Sequence, residues 1–217
     1  MKSKLHLLSA GNSLINQYIA ELRDTKIQSD RLRFRNNIRL IATFAGFEIS
    51  KTLSYTNKLV KTPLGRVDCK VLKQQPVVGS VLRAGIAMHE GLLDVFNSAD
   101  NAFIGAARQE STPGVISTNL SYTASPKLDG RTLIFSDPML ATGGSMQAAL
   151  QALLKYGKPA KMHLVAVIAS KQGVAQIMRK FPQADLWVGV IDPQLNRQFY
   201  IVPGLGDAGD LAYGEKL

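Results

Sequence analysis

From residue 76 onward, short apolar runs alternate with amphipathic stretches, and that alternation limits the fold more than any other feature of the chain. PVVGSVL, NAFIGAA, TLIFSD, KMHLVAVIA and DLWVGVID are apolar runs suited to strands covered on both faces. Between them, AGIAMHEGLLDVF, SMQAALQALLKYG and GVAQIMRKF read as helices. Strand and helix in regular alternation predict an α/β fold, a parallel sheet with helices packed on its faces. Right-handed crossovers then bring the carboxyl ends of the strands, where ligands bind, to one rim.

The preceding segment reads differently. The first fifty residues look helical, with Phe34, Ile38, Ile41 and Ala45 at helical spacing forming one apolar stripe. Arg31, Arg35 and Arg39 fall four apart along the same helix. That row reads either as an RNA or phosphate surface or as a solvated or subunit-facing edge. KLVK, TPLGR and VDCKVLK then predict a β-hairpin turning at Pro63 and Gly65. Residues 109–127 (QESTPGVISTNLSYTASPK) are polar and turn-rich, so a long loop is expected there, emerging from a strand end that carries Arg108. No linker or repeat divides the 217 residues, and one domain spanning 1–217 is expected.

Composition narrows the class of function. With 46% hydrophobic and 19% charged residues the chain is neither a disordered tail nor a polytopic membrane protein. Its net charge of +10 favours an anionic partner: phosphate esters, nucleic acid or an acidic membrane surface. Cys69 is the only cysteine, so no disulfide forms within the chain and a reducing cytoplasm is expected. His6, His89 and His163 lack the spacing of a structural zinc site. The start, MKSKLHLLSAGNS, has an apolar stretch too short for a leader and broken by His6; no window is long enough to span a membrane.

TLIFSDPMLATGGSMQAAL carries the strongest chemical signal. It reads strand, tight loop, helix, with Gly143 and Gly144 just before a helix that begins near Ser145. Free N–H groups and the dipole at a helix start attract anions, and glycine lets the backbone close on a phosphate. Thr142 and Ser145 add hydroxyl donors. Asp137, at the strand end, would repel phosphate; its expected work is to accept hydrogen bonds from sugar hydroxyls or to hold a metal. An acid beside a phosphate cradle fits a sugar phosphate.

These residues carry a family resemblance. DPMLATGGS, residues Asp137 to Ser145, resembles the phosphoribosyl-diphosphate loop of the type I phosphoribosyltransferases. Most of that family has two adjacent acids here; Asp137 followed by Pro138 resembles the uracil phosphoribosyltransferase branch. VLRAGIAMHEGLLDVF, RQEST and IDPQLNRQFYIVPGLGDAGD resemble that branch's other motifs, in the expected order. Ser80 stands where the family usually has proline, and Ala107 where it usually has tyrosine.

The resemblance implies a type I core with an N-terminal helical segment, a hairpin arm and a C-terminal hood. It implies formation of UMP and diphosphate from uracil and 5-phospho-α-D-ribose 1-diphosphate, in pyrimidine salvage, with Mg²⁺ bound mainly through the diphosphate. Arg83, Arg108 and Asp137 would be catalytic. The sugar diphosphate would meet Arg83, Arg108, Asp137, Pro138, Met139, Leu140, Ala141, Thr142, Gly143, Gly144, Ser145 and Asp207. Uracil would be read by the main chain at Ile201 and across Gly206, Asp207 and Ala208. A homodimer or larger assembly is implied, with no membrane partner. An RNA-binding reading rests only on the net charge and the arginine row, so nucleic acid is set aside. Gly204, Gly206 and Gly209 satisfy a dinucleotide fingerprint, but only eight residues follow, too few for the helix and strand that motif needs.

Overall fold

The computed structural model describes residues 4–112 and 115–215, apart from the side chains of residues 107–118. In chain order the strands are β1 (Leu5–Leu7), β2 (Tyr55–Thr62), β3 (Gly65–Leu72), β4 (Val77–Leu82), β5 (Asp100–Thr112), β6 (Val115–Ala124), β7 (Thr132–Ser136), β8 (Met139–Leu140), β9 (Lys161–Ser170), β10 (Asp185–Asp192), β11 (Gln194–Leu195) and β12 (Ile201–Val202). The helices are α1 (Leu14–Arg23), α2 (Arg31–Ser50), α3 (Ile86–Val95), α4 (Gly144–Leu153), α5 (Lys171–Lys180) and α6 (Ala208–Tyr213).

The main sheet runs β1-β10-β9-β7-β4-β5-β6, with the short β8 also beside β9. Every pairing in it is parallel except β5 with β6. The apolar runs alternate between two cores because successive side chains leave opposite faces. Val78, Ile134, Val165 and Trp187 pack beneath α1, α2, α3 and α6, while Val77, Leu133, Phe135, Leu164 and Leu186 pack beneath α4 and α5. The predicted α/β class and two covered faces are therefore present. So are the stripe of α2, where Phe34, Ile38, Ile41 and Ala45 are all buried, and the β2–β3 hairpin.

Two expectations need correction, and a third gains detail. The first fifty residues are not all helical: β1 pairs with β10, and α1 and α2 are separated by a turn in which Asp24 accepts from the Lys26 N–H at 2.8 Å and Asp30 caps α2 through the Arg33 N–H at 3.1 Å. Residues 109–127 are not a long loop. Most belong to an antiparallel extension of β5 and β6, and the alternation of Ile116, Thr118, Leu120 and Tyr122 with polar residues is the pattern of a strand. In the arginine row, Arg31 and Arg39 are exposed, as a solvated edge would be, but two members also have partners within the chain. Arg35 donates to the Ala212 carbonyl at 2.7 Å and lies over Tyr213, and Arg39 forms a two-pronged pair with Asp94 at 2.8 Å. Two of its three members thus tie α2 to α6 and α3.

The histidines, remote in sequence, partly converge. His6 stacks on Trp187 with ring centroids 3.7 Å apart, and the Trp187 indole N–H donates to His163 Nδ1 at 3.1 Å. Burial, reinforced by the Lys161 charge and opposed by Asp185, pushes the His163 imidazole down to about 4. An unfolded histidine titrates near 6.5, so His163 favours the fold fully above that pH, and the contribution is lost as pH falls toward 4. Burial also lowers His6 and His89, which act with the same sign. Urea unfolding should therefore show about 2 kcal/mol less stability at pH 5 than at pH 7. His163→Gln, whose amide oxygen can still accept from Trp187, should remove most of that difference; parallel pH profiles for the two proteins would contradict it.

Candidate active site

Strand order reverses between β4 and β7: the chain passes from β4 outward to β5 and β6, then returns to the other side of β4 as β7. Loops leaving the carboxyl ends of two such strands diverge and leave a crevice, the usual ligand position in open α/β sheets. A cleft of about 450 Å³ opens there. Its walls include Arg83 and Ala84 after β4, Asp137, Met139, Ala141 and Ser145 after β7, and Ile201, Gly206, Asp207 and Ala208 from the C-terminal segment. Residues separated widely in sequence are thus brought to one place.

The loop after β7 is fixed from several directions. The Asp137 N–H donates to the Val165 carbonyl, and Asp137 Oδ1 accepts from the Met139 N–H at 3.2 Å. The Pro138 carbonyl accepts from both Val167 and Ile168, and Leu140 is fully buried in the core. Pro138 and Leu140 therefore anchor the loop rather than line the cleft. Ser170, also fully buried, donates to the Ala141 carbonyl at 2.6 Å while accepting from the Gly173 N–H at 2.9 Å, so it caps α5 and clasps the loop at once. Gly143 then turns the chain with φ +85°, a conformation that favours glycine, and α4 starts at Gly144 without a side-chain cap from Gly143. Thr142 Oγ1 accepts from the Gly144 N–H at 3.3 Å. The first-turn amides of α4 and the Ser145 hydroxyl form the kind of donor cradle that holds a phosphate.

The opposite wall comes from the C-terminal segment. β11 and β12 pair as a small antiparallel ribbon, and the chain passes through Gly204 and Leu205 into α6. Asp207 Oδ1 accepts from the N–H groups of Gly209 and Asp210 at 2.8 and 3.0 Å, capping that helix. Arg83, to which the family resemblance gives the diphosphate, donates to Asp210 Oδ1 and to the Gly214 carbonyl, each at 3.2 Å. Both members of that ion pair keep more than a third or about a third of their side chain in water, at 39% and 33%. Such a pair is worth at most about 1 kcal/mol and exchanges readily for a stronger anion. Arg108 lies on β5 with its backbone opposite Thr118, and its side chain falls outside the described residues.

Sequence reasoning missed Tyr122, Phe199 and Tyr200, which also line the cleft. Tyr122 belongs to the strand first read as loop, and Phe199 has a positive φ of 62° in a turn closed by Asn196 accepting from Tyr200. Ser80 is fully buried in the middle of β4, so its departure from the family pattern bears on strand packing. Among the described residues, no three His, Cys, Asp or Glu side chains come together as a metal site. No described helix is long and apolar enough to cross a membrane.

The fold and the cleft can be set beside known proteins. The family model for uracil phosphoribosyltransferase matches residues 9–215. A uracil phosphoribosyltransferase of Porphyromonas gingivalis is 45% identical over 211 residues, covering 97% of this chain and 98% of its own. One from Pyrococcus furiosus is 37% identical, with 93% and 86% covered. A solved protein structure from Aquifex aeolicus superposes with a TM-score of 0.87 at 32% identity, over 97% of this chain and 98% of that one.

The clasp on the loop after β7 can be measured directly. Ser170→Ala leaves the Ala141 carbonyl and the Gly173 N–H without their buried partner. Thermal or urea unfolding should show a loss of about 1–3 kcal/mol. An unchanged midpoint would mean the loop holds its shape without Ser170.

Proposed function

The chain belongs to the uracil phosphoribosyltransferase family, and we propose that it transfers the phosphoribosyl group of 5-phospho-α-D-ribose 1-diphosphate to N1 of uracil, forming UMP and diphosphate in pyrimidine salvage. The observation that carries this reading is the pairing, across one cleft, of a glycine-turned loop at a helix start with a C-terminal segment that brings Ile201, Gly206, Asp207 and Ala208 to the other wall. The first suits a 5′-phosphate. The second suits uracil, whose acceptor–donor–acceptor edge needs no charged side chain to match it.

In this reading the amides and hydroxyls of residues 142–145 hold the 5′-phosphate, and Asp137 accepts from the ribose hydroxyls. The C1′–O bond to diphosphate breaks, the C1′–N1 bond forms, and the N1 proton is released. Positive charge grows on the ribose and negative charge on the departing group, as in glycoside cleavage. Arg83 and Arg108 stabilise the departing diphosphate, Arg83 by leaving its solvent-washed pair with Asp210. Asp207 touches the phosphoribosyl group, and the main chain of Ile201, Gly206, Asp207 and Ala208 reads the base. Asp137 and Asp207 are the carboxylates among the cleft's described lining, and in this reading Mg²⁺ would be held chiefly by diphosphate oxygens and water. When bound there, Mg²⁺ neutralises charge on the leaving group.

The chain is read as one domain, at work in the cytoplasm. The β2–β3 hairpin exposes Tyr55, Leu59, Leu64 and Val67, and an isolated hairpin is marginal in water, so it is assigned to gripping a second copy. Light scattering at micromolar concentration should give at least twice the chain mass; a monomer would contradict that assignment.

Incubation with labelled uracil and the sugar diphosphate should yield UMP, and turnover of another base in its place would overturn the reading. Asp137→Asn should lower kcat/KM for the sugar diphosphate about ten- to a hundredfold, since a charged acceptor is worth about 1.5–3 kcal/mol. Ala208→Pro probes the other wall. Proline is tolerated at the first position of a helix, and the extended Asp207 before it is compatible. The variant loses one backbone N–H, and kcat/KM for uracil should fall about ten- to a hundredfold while KM for the sugar diphosphate holds.

A further inference from the structure

Base recognition by main chain raises a physical difficulty. Backbone donors and acceptors cannot be tuned by changing their own side chains, so their position has to be imposed from outside. In the C-terminal segment it is imposed at Gly204 and Leu205, the two residues between Ile201–Pro203 and Gly206. The Gly204 N–H donates to Asp192 Oδ2 at 2.9 Å, and the Gly204 carbonyl accepts from Arg23 Nη1 at 3.3 Å. The Leu205 carbonyl accepts from Gln28 Nε2 at 3.1 Å, and the same amide donates to the Leu22 carbonyl at 2.9 Å. Arg23 and Asp192 also hold each other through a fork, Nη2 to Oδ1 at 2.7 Å and Nη1 to Oδ2 at 3.0 Å. The Asp192 side chain is only 5% exposed and that of Arg23 22%.

These groups arrive from three places: the last turn of α1, the turn after it, and the carboxyl end of β10. Each ends on backbone. Gly204 has φ +63°, and a Cβ there would fall on the Ile201 carbonyl, so the chain folds back on itself tightly at this point. That fold-back sets the distance between the Ile201 main chain on one side and Gly206–Ala208 on the other.

We propose that Arg23, Gln28 and Asp192 are positioning residues for uracil, a clamp that sets the register of the base-reading backbone without touching the base. This rests on the assignment of uracil to Ile201 and Gly206–Ala208 made above. The clamp acts on one wall of the cleft. The phosphate loop is held independently by Ser170, Val165, Val167 and Ile168. Disturbing the clamp therefore separates the two substrates, which a general loss of stability does not.

The test measures KM for each substrate, kcat, and the preference for uracil over cytosine, whose edge presents a different donor pattern. Arg23→Gln should raise KM for uracil about 10–50-fold and reduce the uracil preference, with KM for the sugar diphosphate within about threefold. Asp192→Asn keeps an acceptor for the Gly204 N–H but loses the charged fork, and Gln28→Leu removes only the amide. Each should move the same quantity about 3–10-fold. Arg39→Gln breaks the α2–α3 surface pair and should move neither KM. Should Arg23→Gln fail to fold, the other two clamp variants give the same readout.

Equal shifts in both KM values, or a lowered melting temperature with both KM values intact, would make these residues merely structural and overturn the proposal. If Ala208→Pro raises KM for uracil and the clamp variants do not, the clamp fails and the base site stands. If Ala208→Pro also leaves uracil use untouched, the base site itself is misplaced and the clamp falls with it.

Discussion

A parallel sheet covered on both faces leaves its chemistry to the ends of its strands. The centres of β4, β7 and β9 are closed to water by α1, α2, α3 and α6 on one side and by α4 and α5 on the other. A polar ligand inserted there would lose its hydration without replacement. At the carboxyl ends, by contrast, the reversal of strand order parts the loops after β4 and β7. Everything proposed about the reaction depends on that opening, because it is where a helix start, a buried carboxylate and the C-terminal segment come within reach of one substrate pair.

Charge then divides into two uses. Arg35 and Arg39 draw α6 and α3 onto α2, and Arg23 closes on Asp192. These arginines act within the chain, each holding two elements together. Arg83 differs, because it lines the cleft and both it and its partner Asp210 remain partly in water. An arginine that pairs weakly with its own protein is well suited to change partners when a diphosphate arrives.

The legible parts of the sequence were those whose cause is local. Short apolar runs gave β4, β7, β9 and β10, the stripe through Phe34 and Ala45 gave α2, and Asp137 to Ser145 announced a strand–loop–helix anion site. What escaped was set by distant partners. β1 exists because Leu5–Leu7 find the edge of β10, more than 170 residues away, and three residues carry no period of their own. β6 looked polar because Ser117, Asn119 and Ser121 fall between Ile116, Leu120 and Tyr122, although alternation at every second residue is itself the period of a strand. Arg23 and Asp192 carried no signal either. An arginine ending an amphipathic helix and an aspartate ending a strand are ordinary until folding puts the Gly204 backbone between them.

A crystal structure of the protein with UMP bound tests the central claim most directly. The 5′-phosphate should lie on the amides and hydroxyls of residues 142–145. The ribose hydroxyls should meet Asp137 and the uracil edge the main chain of Ile201 and Gly206–Ala208, with the Arg23–Asp192 fork and its contacts to Gly204 unchanged. A base held elsewhere in the cleft, or a phosphate away from the start of α4, would contradict it.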